Sequence, residues 1–507
     1  MIKDVRRAVF FPPAAILLLA VFFSFYDYDR FIAAAVALNG VILDTFGWAF
    51  SLFPFLAVLL VGAVFVSPLG RVRIGGEAAK PILSRWNWFS ITLCTTIATG
   101  ILFWGSAEPL IHLNAPPNFA GVDARTEEAA TFAISTLYFH WAITPYAIYL
   151  VPSLAFALAY YNLGSAYSLS GPFSVALGAP VEGRPAALID ALALFALVAG
   201  VAASLGTGVM TLSGGLGGIV PDGPVVRLFI TAIIVSTYVA SSISGLNKGI
   251  RILSDINVRI FIALAGFMLL AGPTLATMKI GFAGTIDYLA GFAPRSLILT
   301  GGEDSAWIRS WTNFNFANWM AWAPITALFL GRIAVGYRVR EFILVSMAAP
   351  AAFSIVWMTI FGGVSLLTDL ETQGAMTAAL EGDGPNAVIY AIFNTLPFAG
   401  PVIALFVGAT FISFVTAMDS NTHSIASVCL RARRQDDEGP GAQLWIKLFW
   451  GVLIGTVAWV MTSTKGIDGV RQLSNLGGAP GLFILIISSI ALIRLMTIDR
   501  SQIANDD

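Results

Sequence analysis

The run 311–324 reads Trp-Thr-Asn-Phe-Asn-Phe-Ala-Asn-Trp-Met-Ala-Trp-Ala-Pro. At about 100° per residue, a helix there sets Trp311, Asn315, Asn318, Trp319 and Trp322 on one face. Lipid has no use for alternating tryptophan and asparagine, so this face is expected to turn inward. A second group is His140-Trp141, followed past Pro145 by Tyr146 and Tyr149, and Pro145 is expected to loosen a helical turn there. Rings drawn from two helices can enclose a quaternary ammonium or similar onium group, which cannot donate a hydrogen bond but is attracted to aromatic faces. The competing reading is an aromatic belt at headgroup level; the mid-span positions of Trp141 and Trp319 argue against it.

Glu108, His140 and Asp419 fall inside apolar stretches, where ionisable groups are costly and commonly functional, so they are candidate proton carriers. Each also has a plain reading: Glu108 and Asp419 as ties at helix ends, His140 as a hydrogen-bonding group toward a neighbouring helix. His112, His140 and His423 stand on separate segments without metal-pair spacing. Cys94 and Cys429 lie far apart in or beside apolar runs and read as packing residues. An enzyme is therefore not expected, and neither is an organic cofactor or a metal beyond a possible sodium ion.

The elements that must position these residues are membrane helices. Of 507 residues, 57% are hydrophobic and 11% charged, against about 25% charged in soluble chains. Roughly 20 apolar residues cross a bilayer as a helix, and such runs recur near 8–26, 46–68, 88–110, 129–161, 187–211 and 224–244, then 257–278, 307–331, 342–366, 398–426, 445–463 and 479–497. Continuous apolar runs exclude the alternating strands of a membrane barrel. The net charge of -1 and the lack of basic clusters give no sign of nucleic-acid binding. The N-terminal basic residues precede an apolar run with no cleavage site, so that run is expected to be the first anchor.

Alternate loops hold Arg71, Arg73, Lys80 and Arg85; Lys248, Arg251 and Arg259; Arg332, Arg338 and Arg340; and Arg431, Arg433 and Arg434. By the positive-inside rule these loops and both termini are cytoplasmic, and the loops with Asp123, Glu127, Glu128, Glu303, Asp304, Glu381 and Asp383 are external. Two N-terminal helices (1–85) then precede two five-helix blocks of opposite sense, 86–304 and 305–507. Such inversion is the hydropathy signature of repeats in secondary transporters, although an even-numbered bundle can also divide into matching halves by chance. The small and hydroxyl residues 93–100 suit either a broken helix beside a substrate or close helix packing.

Several motifs resemble the betaine/carnitine/choline transporter family. Ser310, Trp311, Thr312 and Trp319 match its eighth-helix signature, and Trp322 and Pro324 match the family's residues just C-terminal to it. Phe103-Trp104-Gly105-x-x-Glu108-Pro109-Leu110, His140-Trp141, the segment 245–255, Arg340-Glu341-Phe342 and Asp419-Ser420 match in family order. The resemblance implies an all-α fold of about 12 transmembrane helices like the leucine transporter, with two inverted five-helix repeats, as a homotrimer in the bacterial inner membrane. It implies an aromatic box of Trp141, Tyr146, Tyr149 and Trp319, with Phe314 and Trp322 lining the pathway and Thr96 and Gly100 beside the site, where this chain's own Asn315 and Asn318 add amides. It further implies a sodium site using backbone carbonyls of Cys94, Ile97 and Ser413 and the Thr416 hydroxyl.

Departures from the family pattern sharpen these expectations. Tyr146 replaces a tryptophan of the box, and Asn313, Asn315, Phe316 and Asn318 replace an aliphatic and three aromatic residues, so the solute is expected to carry an extra polar group. Only Gly100 remains of the glycine-rich segment in the third helix, and Ala417 stands where sodium-coupled members often have a second hydroxyl. No Lys or Arg lies between Arg184 and Arg227 to replace the cation. The expected activity is sodium- or proton-coupled import of a small onium or zwitterionic solute, with an antiporter or a non-transporting sensor or channel as alternatives. The chain after Arg500 is short, so osmotic activation through a charged tail is not expected.

Overall fold

The computed structural model describes residues 5–97, 99–217, 219–243, 249–299, 302–430 and 440–498. Outside the described residues lie Ala98, the motif residues Gly245, Leu246, Asn247 and Lys248, the loop cations Arg431, Arg433 and Arg434, and the tail from Arg500. Described elements are helical, apart from isolated bridges between Val5 and Leu430 and between Arg73 and Arg338. In chain order they open with α1 (Arg7–Tyr26), α2 (Tyr28–Val66), α3 (Arg85–Ile97), α4 (Gly100–Asn114), α5 (Glu127–Trp141), α6 (Ile143–Tyr161) and α7 (Ser170–Leu177). Then come α8 (Gly183–Leu216), α9 (Pro224–Ile243), α10 (Gly249–Ala271), α11 (Thr274–Ser296), α12 (Ser305–Ile308), α13 (Phe314–Ile333) and α14 (Val339–Ile343). The chain continues through α15 (Ala349–Glu371), α16 (Ala375–Asp383), α17 (Pro385–Thr395), α18 (Ala399–Cys429), α19 (Pro440–Lys465) and α20 (Ile467–Thr497).

Ten described helical stretches are long and apolar enough to cross a membrane, or eleven when the bent pair α3 and α4 is one span. Helix α13, diluted by Asn315, Asn318 and Arg332, supplies the remaining expected one. Among the boundaries that differ from the sequence reading, three have a clear physical cause. Helix α2 starts at Tyr28 rather than near 46, because its interior polar residues find partners: Asn39 accepts from Asn475 (2.9 Å) and Asp44 pairs with Arg309 (2.6 Å). The seventh span stops at Ala271 rather than 278, since Gly272 and Pro273 interrupt the helix, and the chain re-enters helix as α11, which packs on α5 and α15. Helix α20 begins at Ile467 rather than 479, immediately after Gly466 in a positive-φ conformation.

Helix breaks fall in both expected blocks. The first block bends by 56° between α3 and α4 and breaks again at Ala142 between α5 and α6. The second carries π-helical turns at Arg309–Asn313 and Leu344–Ala348. Loop charges also segregate. At one end Arg85 pairs with Glu341 (2.6 Å) and Arg340 donates to Phe65 O (2.7 Å). At the other, Asp304 accepts from the backbone N–H groups of Asn118 and Phe119, and Asp369 pairs with Arg125. Asp222, between α8 and α9 at this acidic end, would be raised by burial alone; hydrogen bonds from Arg227 and Ser213 outweigh that and hold its carboxyl below the usual range.

Helix α13 occupies the centre, packed chiefly on α20, α6 and α8. Glycines set that approach. A Cβ on Gly478 would lie 2.6 Å from Ala317 Cβ, and one on Gly481 would lie 2.2 Å from Met320 O. On the other side a Cβ on Gly200 would come within 2.8 Å of Ala321 Cβ. Bare backbone on α20 and α8 therefore lets α13 sit in direct contact, as small residues do in membrane helix packing.

Candidate functional site

The ring of Trp319, on α13, is enclosed by three others. Its centroid lies 5.7 Å from Trp141 at the end of α5, and 5.9 Å and 5.3 Å from Tyr146 and Tyr149 on α6. All four side chains are buried. The break between α5 and α6 makes this possible. A proline ring clashes with the carbonyl four residues earlier, which for Pro145 is Trp141, so the helix gives way at Ala142, three positions before the proline itself. Trp141 then points along a different axis from Tyr146 and Tyr149. Gly100 fits against Trp141, where a Cβ would stand 2.5 Å from the indole ring.

Polar groups fix this enclosure from outside. Trp141 Nε1 donates to Glu108 Oε2 (2.8 Å), and Tyr146 Oη meets Ser354 Oγ at 2.9 Å. Trp319 Nε1 is buried without a hydrogen-bonding partner. Glu108 also accepts from His140 Nδ1 (2.6 Å), with His112 Nε2 at 3.4 Å, and His140 Nε2 reaches Thr312 Oγ1 at 3.3 Å. His140 thus bonds a neighbouring helix as expected. Glu108, by contrast, is no end cap: it sits inside α4, fully buried, where two histidines and an indole compensate its charge. The sequence reading set His112 and His140 on separate segments, whereas the fold gathers both on Glu108, with potential ligand atoms of the three within 4.8 Å of one another; the spacing of His112 four residues after Glu108 already placed those two on one helix face.

A narrow cavity of about 10 Å³, room for a single water molecule, adjoins the enclosure and brings together Gly100, Trp141, Phe314, Asn315 and Asn318. Ser204 and Thr207 of α8 also line it, and neither was a sequence candidate. The π-helical turn at Arg309–Asn313 shifts the phase of Trp311 relative to the rest of the predicted face, whereas Asn315, Asn318, Trp319 and Trp322 share the uninterrupted helix α13. Trp311 packs on Trp104 (5.5 Å), Trp322 Nε1 donates to Ser204 Oγ (3.0 Å), and Asn318 accepts from Ser474 on α20 (3.1 Å). Asn313 faces α2, accepting from Ser51 (2.9 Å). Thr96 stands apart from both groups, its hydroxyl bonded to Thr92 O in its own helix (2.8 Å).

The predicted ion residues gather where α3, α10 and α18 meet. Residues 94–97 form the last turn of α3, where helix carbonyls run out of in-helix donors. Asn257 of α10, absent from the sequence candidates, donates from Nδ2 to Ser413 Oγ (3.1 Å) and lies 3.7 Å from Cys94 Sγ. Its Oδ1 and the hydroxyl of Ser254 are buried with no partner. Thr416 Oγ1 turns back to Ile412 O (2.9 Å) and Ser413 O (3.0 Å). Both cysteines are free and buried, as expected of packing residues.

The sequence matches the family described as BCCT, betaine/carnitine/choline family transporter, over residues 8–501. It is 29% identical to an ectoine/hydroxyectoine transporter of Virgibacillus pantothenticus, covering 99% of each chain. It is 30% identical to glycine betaine transporter 1 of Vibrio parahaemolyticus, over 92% of this chain and 89% of that one. Among solved structures it resembles MhsT in complex with L-phenylalanine, at TM-score 0.51 and 16% identity over 80% of this chain and 89% of the other. That likeness is one of fold.

Proposed function

The chain belongs to the betaine/carnitine/choline transporter family, and from that premise we propose that it imports a compact solute with an onium or amidinium-like head and a carboxylate tail, of the glycine betaine or ectoine class. It is a secondary transporter, not an enzyme. The observation that carries the substrate reading is the enclosure of Trp319 by Trp141, Tyr146 and Tyr149. Buried ring faces attract a cation that needs no hydrogen bond, worth about 2 kcal/mol or more once desolvated. Asn315 and Asn318 along the adjoining cavity add amide groups suited to a solute with polar atoms beyond its head group.

For coupling, sodium symport is favoured. The oxygen-rich cleft at residues 94–97, Ser413 and Asn257 suits a hard cation, and the unpartnered Asn257 Oδ1 compensates for the hydroxyl that Ala417 lacks. Proton symport is the second reading, supported by the buried chain from Thr312 through His140 and Glu108 to Trp141. Orientation follows the loop charges, with the basic end and both termini cytoplasmic in a bacterial inner membrane, and the homotrimer and the two-repeat division are retained from the family pattern.

Uptake of labelled glycine betaine, ectoine, choline and carnitine into proteoliposomes tests this under sodium and proton gradients imposed separately. Accumulation of a carboxylate-bearing onium under a sodium gradient is expected. Accumulation under a proton gradient alone transfers coupling to Glu108 and the histidines. No accumulation of any of the four solutes under either gradient removes the substrate reading.

A further inference from the structure

Arginines at the acidic end differ in how completely they are used. Arg227 grips Asp222 with two nitrogens, Nε at 2.9 Å and Nη2 at 2.5 Å. Arg125 reaches the fully buried Asp369 (3.0 Å), and Arg309 reaches Asp44 (2.6 Å). Arg309 Nε is nevertheless buried without a partner, and Arg471, one turn into α20, is held by its acid more loosely still. Its Nη1 makes a single 3.2 Å bond to Asp468, a carboxylate 67% exposed, while its own side chain is only 24% exposed. An exposed pair of that kind stabilises little. Its Nε is buried with no hydrogen-bonding partner. The guanidinium carbon lies 5.1 Å over the ring of Trp311 and 5.7 Å over that of Phe314.

Phe314 links this arginine to the solute cavity. The same ring lines the cavity with Trp141 and Asn315, and so does Val470, the residue preceding Arg471. A permanently charged planar fork is thus held on aromatic faces beside the cavity, with one of its donors unsatisfied. Such a fork matches a carboxylate, which can accept from two nitrogens at once.

We infer that Arg471 is the specificity residue that receives the carboxylate of a zwitterionic solute at the acidic-end edge of the cavity, while the Trp319 enclosure holds the cationic head. This rests on the onium reading of that enclosure. The arginine acts in both directions. A carboxylate gains charge-assisted hydrogen bonds, whereas a plain cation such as choline meets a like charge that the single bond to the exposed Asp468 offsets only in part.

The test compares glycine betaine with choline as competing ligands of the purified full-length protein, in wild type, Arg471→Gln, Arg471→Lys and Trp319→Phe. Arg471→Gln is expected to weaken glycine betaine roughly ten- to hundredfold and to leave choline unchanged or slightly tighter. Arg471→Lys, which keeps the charge and loses the fork, is expected to fall between and serves if the glutamine variant does not fold. Trp319→Phe is expected to weaken both ligands together. An unchanged ratio of glycine betaine to choline affinity in both Arg471 variants overturns the role given to Arg471, even if Trp319→Phe weakens both. Intact binding of both ligands by Trp319→Phe, with a ratio that does shift at Arg471, instead removes the enclosure as the head-group site.

Discussion

Two neighbourhoods flank the broken helix α3 and α4, and they are built in opposite ways. The enclosure around Trp319 is almost entirely ring against ring, fixed from outside by Glu108 and Ser354. The cleft between α3, α10 and α18 contains no such rings in its predicted ligand set; it has a helix end, two hydroxyl residues, a thiol and an amide whose oxygen is unpaired. A buried amide oxygen without a partner is costly, so the cleft carries a local instability that a bound cation would relieve. The enclosure carries much less of this, since apart from the unpaired Trp319 Nε1 its rings satisfy one another by contact. In the proposed function, solute recognition would thus rest on side-chain identity, and ion recognition on backbone placement and one amide.

The contrast breaks most sharply at Trp319. Trp319→Ala is expected to reduce glycine betaine affinity by a hundredfold or more, since it removes the shared wall of about 2 kcal/mol or more of cation attraction and the packing of three rings. Because emptying a tryptophan site costs about 3–5 kcal/mol of stability, Trp319→Phe is the companion variant, with an expected loss of roughly tenfold. Isothermal titration on the monodisperse variants reads both values. Unchanged affinity in a folded Trp319→Phe removes the enclosure from recognition.

Gly100→Ala attacks the same enclosure from the backbone. The added methyl would stand 2.5 Å and 2.7 Å from two indole carbons of Trp141. Real side chains do not approach so closely, so Trp141 must rotate away, and its bond to Glu108 is lost with it. The expected result is about a tenfold rise in solute KM, in line with the loss of one charged hydrogen bond, with sodium dependence unchanged. A rise in the sodium requirement instead would mean that the two neighbourhoods move as one unit.

Legibility in the sequence follows the same division. The spans, the enclosure residues and the crowding at residues 93–100 were readable because hydropathy, ring type and small-residue runs are properties of side chains in order along the chain. Partnership across helices was not readable. Asn39 and Asp44 lie before the start of the second span at 46, yet Asn475 and Arg309 partner them inside α2. Placing Trp311 on the face of Asn315 to Trp322 assumed a uniform helix, and the π-helical turn at 309–313 has no marker in residue type. Asn257 could have been flagged as an amide within an apolar span, but its pairing with Ser413 depends on how α10 and α18 cross. Arg471 was not legible, because the last apolar stretch reads from 479 and only the start of α20 at Ile467 sets this charge one turn inside the helix.

The smallest expected effect tests the cleft. Asn257→Ala removes the unpaired oxygen together with the amide that bonds Ser413, and it leaves Trp319 and its neighbours untouched. If that oxygen ligates sodium as one of several, its loss is expected to raise the sodium concentration for half-maximal uptake roughly three- to tenfold, the scale of one neutral oxygen contact. Solute KM at saturating sodium should stay within about twofold, because the enclosure binds through its rings. Asn257→Asp sharpens the comparison, since an added negative charge at the same place should lower the sodium requirement if the cation sits there. An aspartate variant with the same sodium requirement as wild type, or uptake driven by protons in both variants, would move coupling out of the cleft. It would place coupling on the buried bonds joining Glu108 to His140 and Trp141, the one other polar chain that touches the enclosure among the described contacts.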